Sequence, residues 1–140
     1  MTVFRFRLLL SLYIVFVLGE FVAAWFFADL VPPALAAVAD SDPESWFISN
    51  LPLAFTIFVP LSTAYLAGLV GMFMLKAWGR SFSLYVTLAG LALTPFMGAT
   101  VSSWLDNVLL EVCAMLWGAV LALAYYSPVS REFSRPPEAR

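Results

Sequence analysis

Glu20 is the residue of this chain that most needs a chemical reason. It stands near the middle of the otherwise almost wholly apolar run Leu8 to Val31. An ionisable group at that depth of a bilayer is costly and is a site hypothesis by default. Insertion scales put a central Asp, Lys or Arg at about +2.5 to +3.5 kcal/mol and each Leu, Ile, Val or Phe at about −0.3 to −0.6. The run holds fifteen of those apolar residues, so it inserts with the carboxyl aboard. Hydrocarbon disfavours a bare charge, so the expectation is a neutral carboxyl, a hydrogen-bond donor in need of an acceptor.

Acceptors are available at a similar depth. Pro60 and Pro95 sit near the middle of two further apolar runs, and each removes the donor of the carbonyl four residues earlier, at Thr56 and Leu91. Tyr13 lies seven residues before Glu20 on the same helical face, and Ala23 and Ala24 leave room for a neighbouring helix. The candidate intramembrane site is therefore Glu20, Tyr13, Thr56, Pro60 and Pro95. Two readings compete. Either a neutral Glu20 ties helices together, or it exchanges a proton or cation between kinked helices, as broken-helix transporters do.

The composition sets the frame that must hold these residues. The chain is 63% hydrophobic with mean hydropathy +0.94 and carries seven basic and nine acidic residues in 140. A soluble domain of this size could not hide that much apolar surface. Alternation of the kind a membrane barrel needs is absent. The fold class expected is an all-α integral membrane protein, a four-transmembrane-helix bundle with short loops. Its spans fall at about 8–31, 53–75, 82–103 and 108–127, followed by a tail over 128–140. At 1.5 Å per residue, spans of this length reach about 30 to 36 Å, enough to cross with some tilt. Residues 1–140 then form one membrane domain. Ala34-Leu35-Ala36 looks like a signal-peptidase site, but the apolar run before it is too long and is broken by Glu20 and Asp29, so an uncleaved anchor is expected.

Charge gives the orientation. Arg5, Arg7, Lys76, Arg80, Arg131, Arg135 and Arg140 all fall on one side of the four expected spans. The positive-inside rule then puts both termini in the cytoplasm of a bacterial-type inner (plasma) membrane. The opposite side carries Asp40, Asp42, Glu44 and Asp106. With Asp29 and Glu111 these make an acidic outer rim, in which Glu111 also gains from the helix N-terminal dipole.

Local signals mark the boundaries. Val31-Pro32-Pro33 should stop the first helix. Asp42-Pro43-Glu44 reads as a helix start, Asn50 as the cap of the second span, and Ser103-x-x-Asp106 as a capping box. Gly79, in the turn Lys76 to Ser81, fits a left-handed helix end. Trp25, Trp46 and Trp104 would belt the outer interface, and Trp78, Tyr13, Tyr125 and Tyr126 the inner one. Trp117, near the centre of the fourth span, reads as helix-packing bulk or a ligand contact. Ala64-x-x-x-Gly68, Ala67-x-x-x-Gly71 and Ala114-x-x-x-Gly118-x-x-x-Ala122 should let helices approach closely inside the bundle.

Gly19-Glu20 in the first of four expected spans resembles the central glutamate of the small multidrug resistance transporters, and the resemblance would imply cation and proton binding at Glu20. It covers those two residues and the span count. The third span lacks that family's central Trp-Gly pattern, and the 19 residues from Pro32 to Asn50 make too long a connection. Seven of seven basic residues on one side also forbid the inverted dimers many of its members form.

Several chemistries have no residues to perform them. The chain has no histidine and one cysteine, Cys113, so no ordinary haem, zinc or iron–sulfur ligand set and no internal disulfide can form, and no cofactor is expected. It offers no nucleophile–base pair, phosphate loop or basic patch for nucleic acid. The function expected is an accessory, assembly or scaffold subunit of a larger membrane complex; intramembrane carboxylate catalysis stays open, with the lone central Glu20 as thin support for it. Its partners would be the lipid bilayer and either another membrane protein or a second copy. The alternative is a small oligomeric transporter or channel coupled to protonation of Glu20.

Overall fold

The computed structural model describes residues 2–26, 31–34, 37, 49–97 and 102–134. These residues are overwhelmingly helical, with no strand among them. The long elements are α1 (Val3–Phe26), α2 (Leu51–Phe73), α3 (Ala77–Leu93) and α4 (Trp104–Tyr126). A single 3-10 turn, Thr94–Phe96, follows α3, and a short helix, α5 (Ser130–Phe133), follows α4. α1, α2 and α4 are each long and apolar enough to cross a membrane. That supports membrane insertion with several passes.

The third apolar run departs from the expected span over 82–103. Its helix begins at Ala77 and ends after 17 residues at Leu93. Pro95 does not kink the middle of a span. It sits in the first positions of the 3-10 turn, where a missing N–H costs nothing. The Leu91 carbonyl is not left open either, because the Thr94 N–H donates to the carbonyls of Gly90 and Leu91. Pro60, in contrast, does lie inside its helix.

The α2–α3 turn explains the earlier start of α3. Leu75, not Gly79, takes the left-handed conformation, with φ 56°. The Lys76 N–H reaches the Gly71 carbonyl at 2.9 Å and the Leu75 N–H reaches Met72 at 3.0 Å. That pair of bonds is a Schellman closure, which needs only three residues to reverse the chain. Gly79 serves a different purpose. A Cβ there would lie 2.4 Å from the Gly71 carbonyl carbon, so two backbones touch where the helices cross. Gly68 is similarly close-packed, a Cβ meeting Ser83 Oγ at 2.6 Å. The small-residue face expected on α2 therefore packs through Gly68 and Gly71.

The stripe on α4 does not. Ala114, Gly118 and Ala122 are all exposed, and a Cβ on Gly118 would meet nothing within 4 Å. The inward face of α4 is Cys113, Trp117, Val120 and Ala124. The capping box at Ser103 is present: Ser103 Oγ accepts from the Asp106 N–H at 3.2 Å and Asp106 Oδ2 accepts from the Ser103 N–H at 3.1 Å. Asn50 stands at the start of α2, but its side chain makes no capping bond to that helix.

α1 packs along α4 and α2 along α3. The two pairs meet in a core at the basic end of the molecule. Phe6, Leu10, Met72, Leu75, Val120, Ala124, Val129 and Phe133 are buried there. Residues 128–134, expected as part of a tail, fold back into this core: Phe133 packs edge-on against Phe6 with ring centroids 5.8 Å apart. The arginines close the same end. Arg7 Nε donates to the Phe73 carbonyl at 3.3 Å, and the Arg80 guanidinium lies 5.2 Å above the Tyr125 ring and 5.9 Å from Phe133.

A paired substitution tests this packing. Gly79→Ala should lower stability by about 1 to 3 kcal/mol, because the added methyl meets backbone that cannot yield. Gly118→Ala should be neutral or stabilising by up to about 1 kcal/mol, since it adds helix propensity in open space. Unfolding midpoints of the two purified variants in one detergent give the comparison. Equal midpoints would contradict the close α2–α3 crossing.

Candidate functional site

The five residues proposed for an intramembrane site do not come together. Glu20 is half-buried on α1, on the side that interacts electrostatically with Cys113 of α4. Antiparallel packing of these helices makes the match, with Asp106 and Tyr13 as its charged and polar neighbours to either side. Ala23, one turn on, is buried as expected, whereas Ala24 is exposed. Thr56 and Pro60 are exposed on α2, and the Thr56 hydroxyl donates to the Pro52 carbonyl at 2.8 Å. Among the described residues no hydrogen bond joins Glu20 to Thr56 or Leu91. Of the expected site, only Tyr13 stays near Glu20.

Of the acidic rim, Asp29, Asp40, Asp42 and Glu44 lie outside the described residues. Asp106 is engaged in the capping box, and Glu111 is exposed on the second turn of α4. Among the described residues no three His, Cys, Asp or Glu side chains converge as a metal site.

A different cluster occupies the middle of the bundle. Tyr13 is not an interfacial belt residue: it is 5% exposed, and its hydroxyl is hydrogen-bonded to that of Tyr65 on α2. The Tyr13 ring stacks on Trp117 at 4.9 Å between centroids, and Tyr65 approaches the same indole at 5.6 Å. Trp117 Nε1 donates to Thr87 Oγ1 at 2.9 Å, and that hydroxyl donates onward to the Ser83 carbonyl at 2.8 Å. One aromatic and hydroxyl network thus links all four long helices. It joins the α1–α4 pair to the α2–α3 pair, which otherwise touch mainly at the basic end.

Beside this network lies a cavity of about 810 Å³. Every long helix lines it, with Tyr13 and Phe21 from α1, Tyr65 from α2, Thr87 and Gly90 from α3 and Trp117 from α4 among the wall residues. Among the described residues no charged side chain is in the lining, and Glu20 is not part of it. Volume and apolar walls with a few hydroxyls match those of small-molecule sites.

Tyr65 and Thr87 were not evident as site residues from the sequence. A depth signal existed: Tyr13 is ten residues from the start of α1 and Tyr65 eight from the end of the antiparallel α2. At 1.5 Å per residue both lie about 12 to 15 Å from the basic end. No known protein family, curated protein or solved structure matches this chain. The Gly19-Glu20 resemblance therefore rests on those two residues and the expected span count.

The Trp117–Thr87 bond should be measurable as a coupling between the helix pairs. A double-mutant cycle with Trp117→Phe and Thr87→Val should give an interaction energy of about 0.5 to 2 kcal/mol, the range for membrane hydrogen bonds. Additive effects on reversible unfolding in mixed micelles would show that the network does not bridge the pairs.

Proposed function

We propose that this chain is a small multi-pass membrane protein with four spans that acts as an accessory, assembly or scaffold subunit of a larger membrane complex and not as an enzyme. The observation that carries this reading is the place of Glu20. It is half-buried on α1, on the side that interacts with Cys113 of α4, and is not among the described residues of the cavity lining, which suits a group that ties helices and not one that hands a proton to a passing substrate. α3 and the turn after it together reach about 32 Å, long enough for a fourth crossing. Arg5, Arg7, Lys76, Arg80 and Arg131 gather at the closed end, so that end is assigned to the cytoplasm of a bacterial-type inner membrane, with both termini inside. The outward faces of the helices carry large apolar side chains, such as Phe55, Tyr85 and Met115, for lipid and for a partner subunit or second copy.

Two experiments test the assignment. Ser41→Cys should react with an impermeant thiol reagent in intact, outer-membrane-permeabilised cells, and Ser134→Cys should not; reversed labelling would overturn the orientation. Glu20→Gln keeps a neutral hydrogen-bonding group, so expression and the set of copurifying membrane proteins should be unchanged. Glu20→Leu should weaken helix packing by about 1 to 2 kcal/mol. Proton flux into reconstituted vesicles that Glu20→Gln abolishes would instead establish a proton-coupled transporter.

A further inference from the structure

We propose that the cavity between the two helix pairs binds a neutral membrane amphiphile, an apolar chain ending in a carbonyl that accepts a hydrogen bond from the Tyr13–Tyr65 hydroxyl pair. This goes beyond the scaffold reading and does not depend on it. The cavity's size of about 810 Å³ suits a small organic molecule or the end of a long chain. Its walls are mostly apolar, and no charged side chain is among the described residues that line it. A charged or sugar-like ligand would lose its hydration there and recover nothing.

The hydroxyls decide what the polar end must be. Thr87 donates to the Ser83 carbonyl and accepts from Trp117, and Thr94 Oγ1 donates to the Gly90 carbonyl at 3.2 Å. The two threonine hydroxyls have spent their hydrogens, and the remaining aliphatic hydroxyl in the lining, Ser62, lies on an exposed position of α2. Tyr13 and Tyr65 bond to each other, which uses one O–H of the two. The second O–H of the pair has no further acceptor among the described residues. A buried donor left unpaired is expensive, and a carbonyl is the simplest group that satisfies it without bringing a charge.

The cavity also has an opening of the right kind. Leu18, Phe21, Leu66 and Leu91 line it yet are 59 to 67% exposed, so the gap between the helix pairs faces sideways. In a bilayer that direction is hydrocarbon, and a ligand arrives by lateral diffusion from the lipid. A carbonyl-ended chain comes from two sources there, an isoprenoid quinone or an acyl ester.

Gly90 allows a clean test, because it lines the cavity and a Cβ on it would meet nothing within 4 Å. Gly90→Phe adds a ring at the cavity wall, where a Cβ has open space, and Gly118→Phe adds the same ring outside the cavity. The full-length protein in nanodiscs is irradiated with a diazirine-bearing long-chain methyl ester and, separately, with the matching alkane. Ester labelling should map to the peptides carrying Tyr65 and Gly90, fall about tenfold in Gly90→Phe and stay unchanged in Gly118→Phe. In Tyr13→Phe/Tyr65→Phe, ester labelling should fall about five- to tenfold, the scale of one lost hydrogen bond, while alkane labelling holds. Competition by decylubiquinone or by unlabelled ester supports the site and identifies its source. Labelling that Gly90→Phe leaves intact, or that neither competitor reduces, overturns the proposal. Should Gly90→Phe not fold, the tyrosine variant decides, and equal loss of ester and alkane labelling there counts against the carbonyl contact.

Discussion

The packing of Phe6, Met72 and Phe133 at the basic end is the constraint on which the rest of this bundle depends. Inside a bilayer, apolar side chains gain little by leaving lipid for protein, so helices associate through close fit and hydrogen bonds. This chain supplies close fit chiefly at one end. Gly71 and Gly79 bring α2 and α3 backbones into contact, the Schellman closure holds their turn, and the returning α5 inserts Phe133 against Phe6. The arginines add to the same end by covering the last carbonyl of α2 and the rings of Tyr125 and Phe133. With the pairs fixed there, they part around the cavity further along, joined at mid-depth by the tyrosines, Trp117 and Thr87.

Much of the framework was legible in the sequence. Apolar run length gave the helices, charge placed the basic residues at one end, and Ser103-x-x-Asp106 marked the start of α4. These signals are local, and the physics that sets them acts within one or two helical turns. What failed depended on long-range partners. Leu75 takes the left-handed position because its side chain is buried in the core, and that burial outweighs the preference for glycine that pointed to Gly79. The Ala114, Gly118 and Ala122 stripe has ideal spacing but, among the described residues, no helix opposite it. Pro95 reads as a kink by position, yet the helix simply ends before it.

The candidate site was harder still. Glu20 draws notice because a charge-bearing group in hydrocarbon is costly, but cost does not name a neighbour, and the group with which it interacts electrostatically is a cysteine on a helix some ninety residues away. The aromatic network carries no such alarm. Tyrosines near a helix end read equally well as an interfacial belt, and only the antiparallel pairing of α1 and α2 places Tyr13 opposite Tyr65. Glu20 and the cavity are separate features of the described structure, whereas the sequence had offered Glu20 alone, as either a helix-tying group or a proton or cation site.

The central claim is a bundle clamped at its basic end and parted around a cavity. Pulsed electron–electron resonance tests it most directly, with nitroxide labels in a Cys113→Ala background on exposed sites of α1 and α2. One pair, Phe4→Cys with Met74→Cys, reports the basic end; the other, Val22→Cys with Phe55→Cys, reports the far end. The account predicts a narrow distance distribution at the basic end, a longer and broader one at the far end, and broadening of both when Phe133→Ala is added. Narrow distributions at both ends that ignore Phe133→Ala would contradict it.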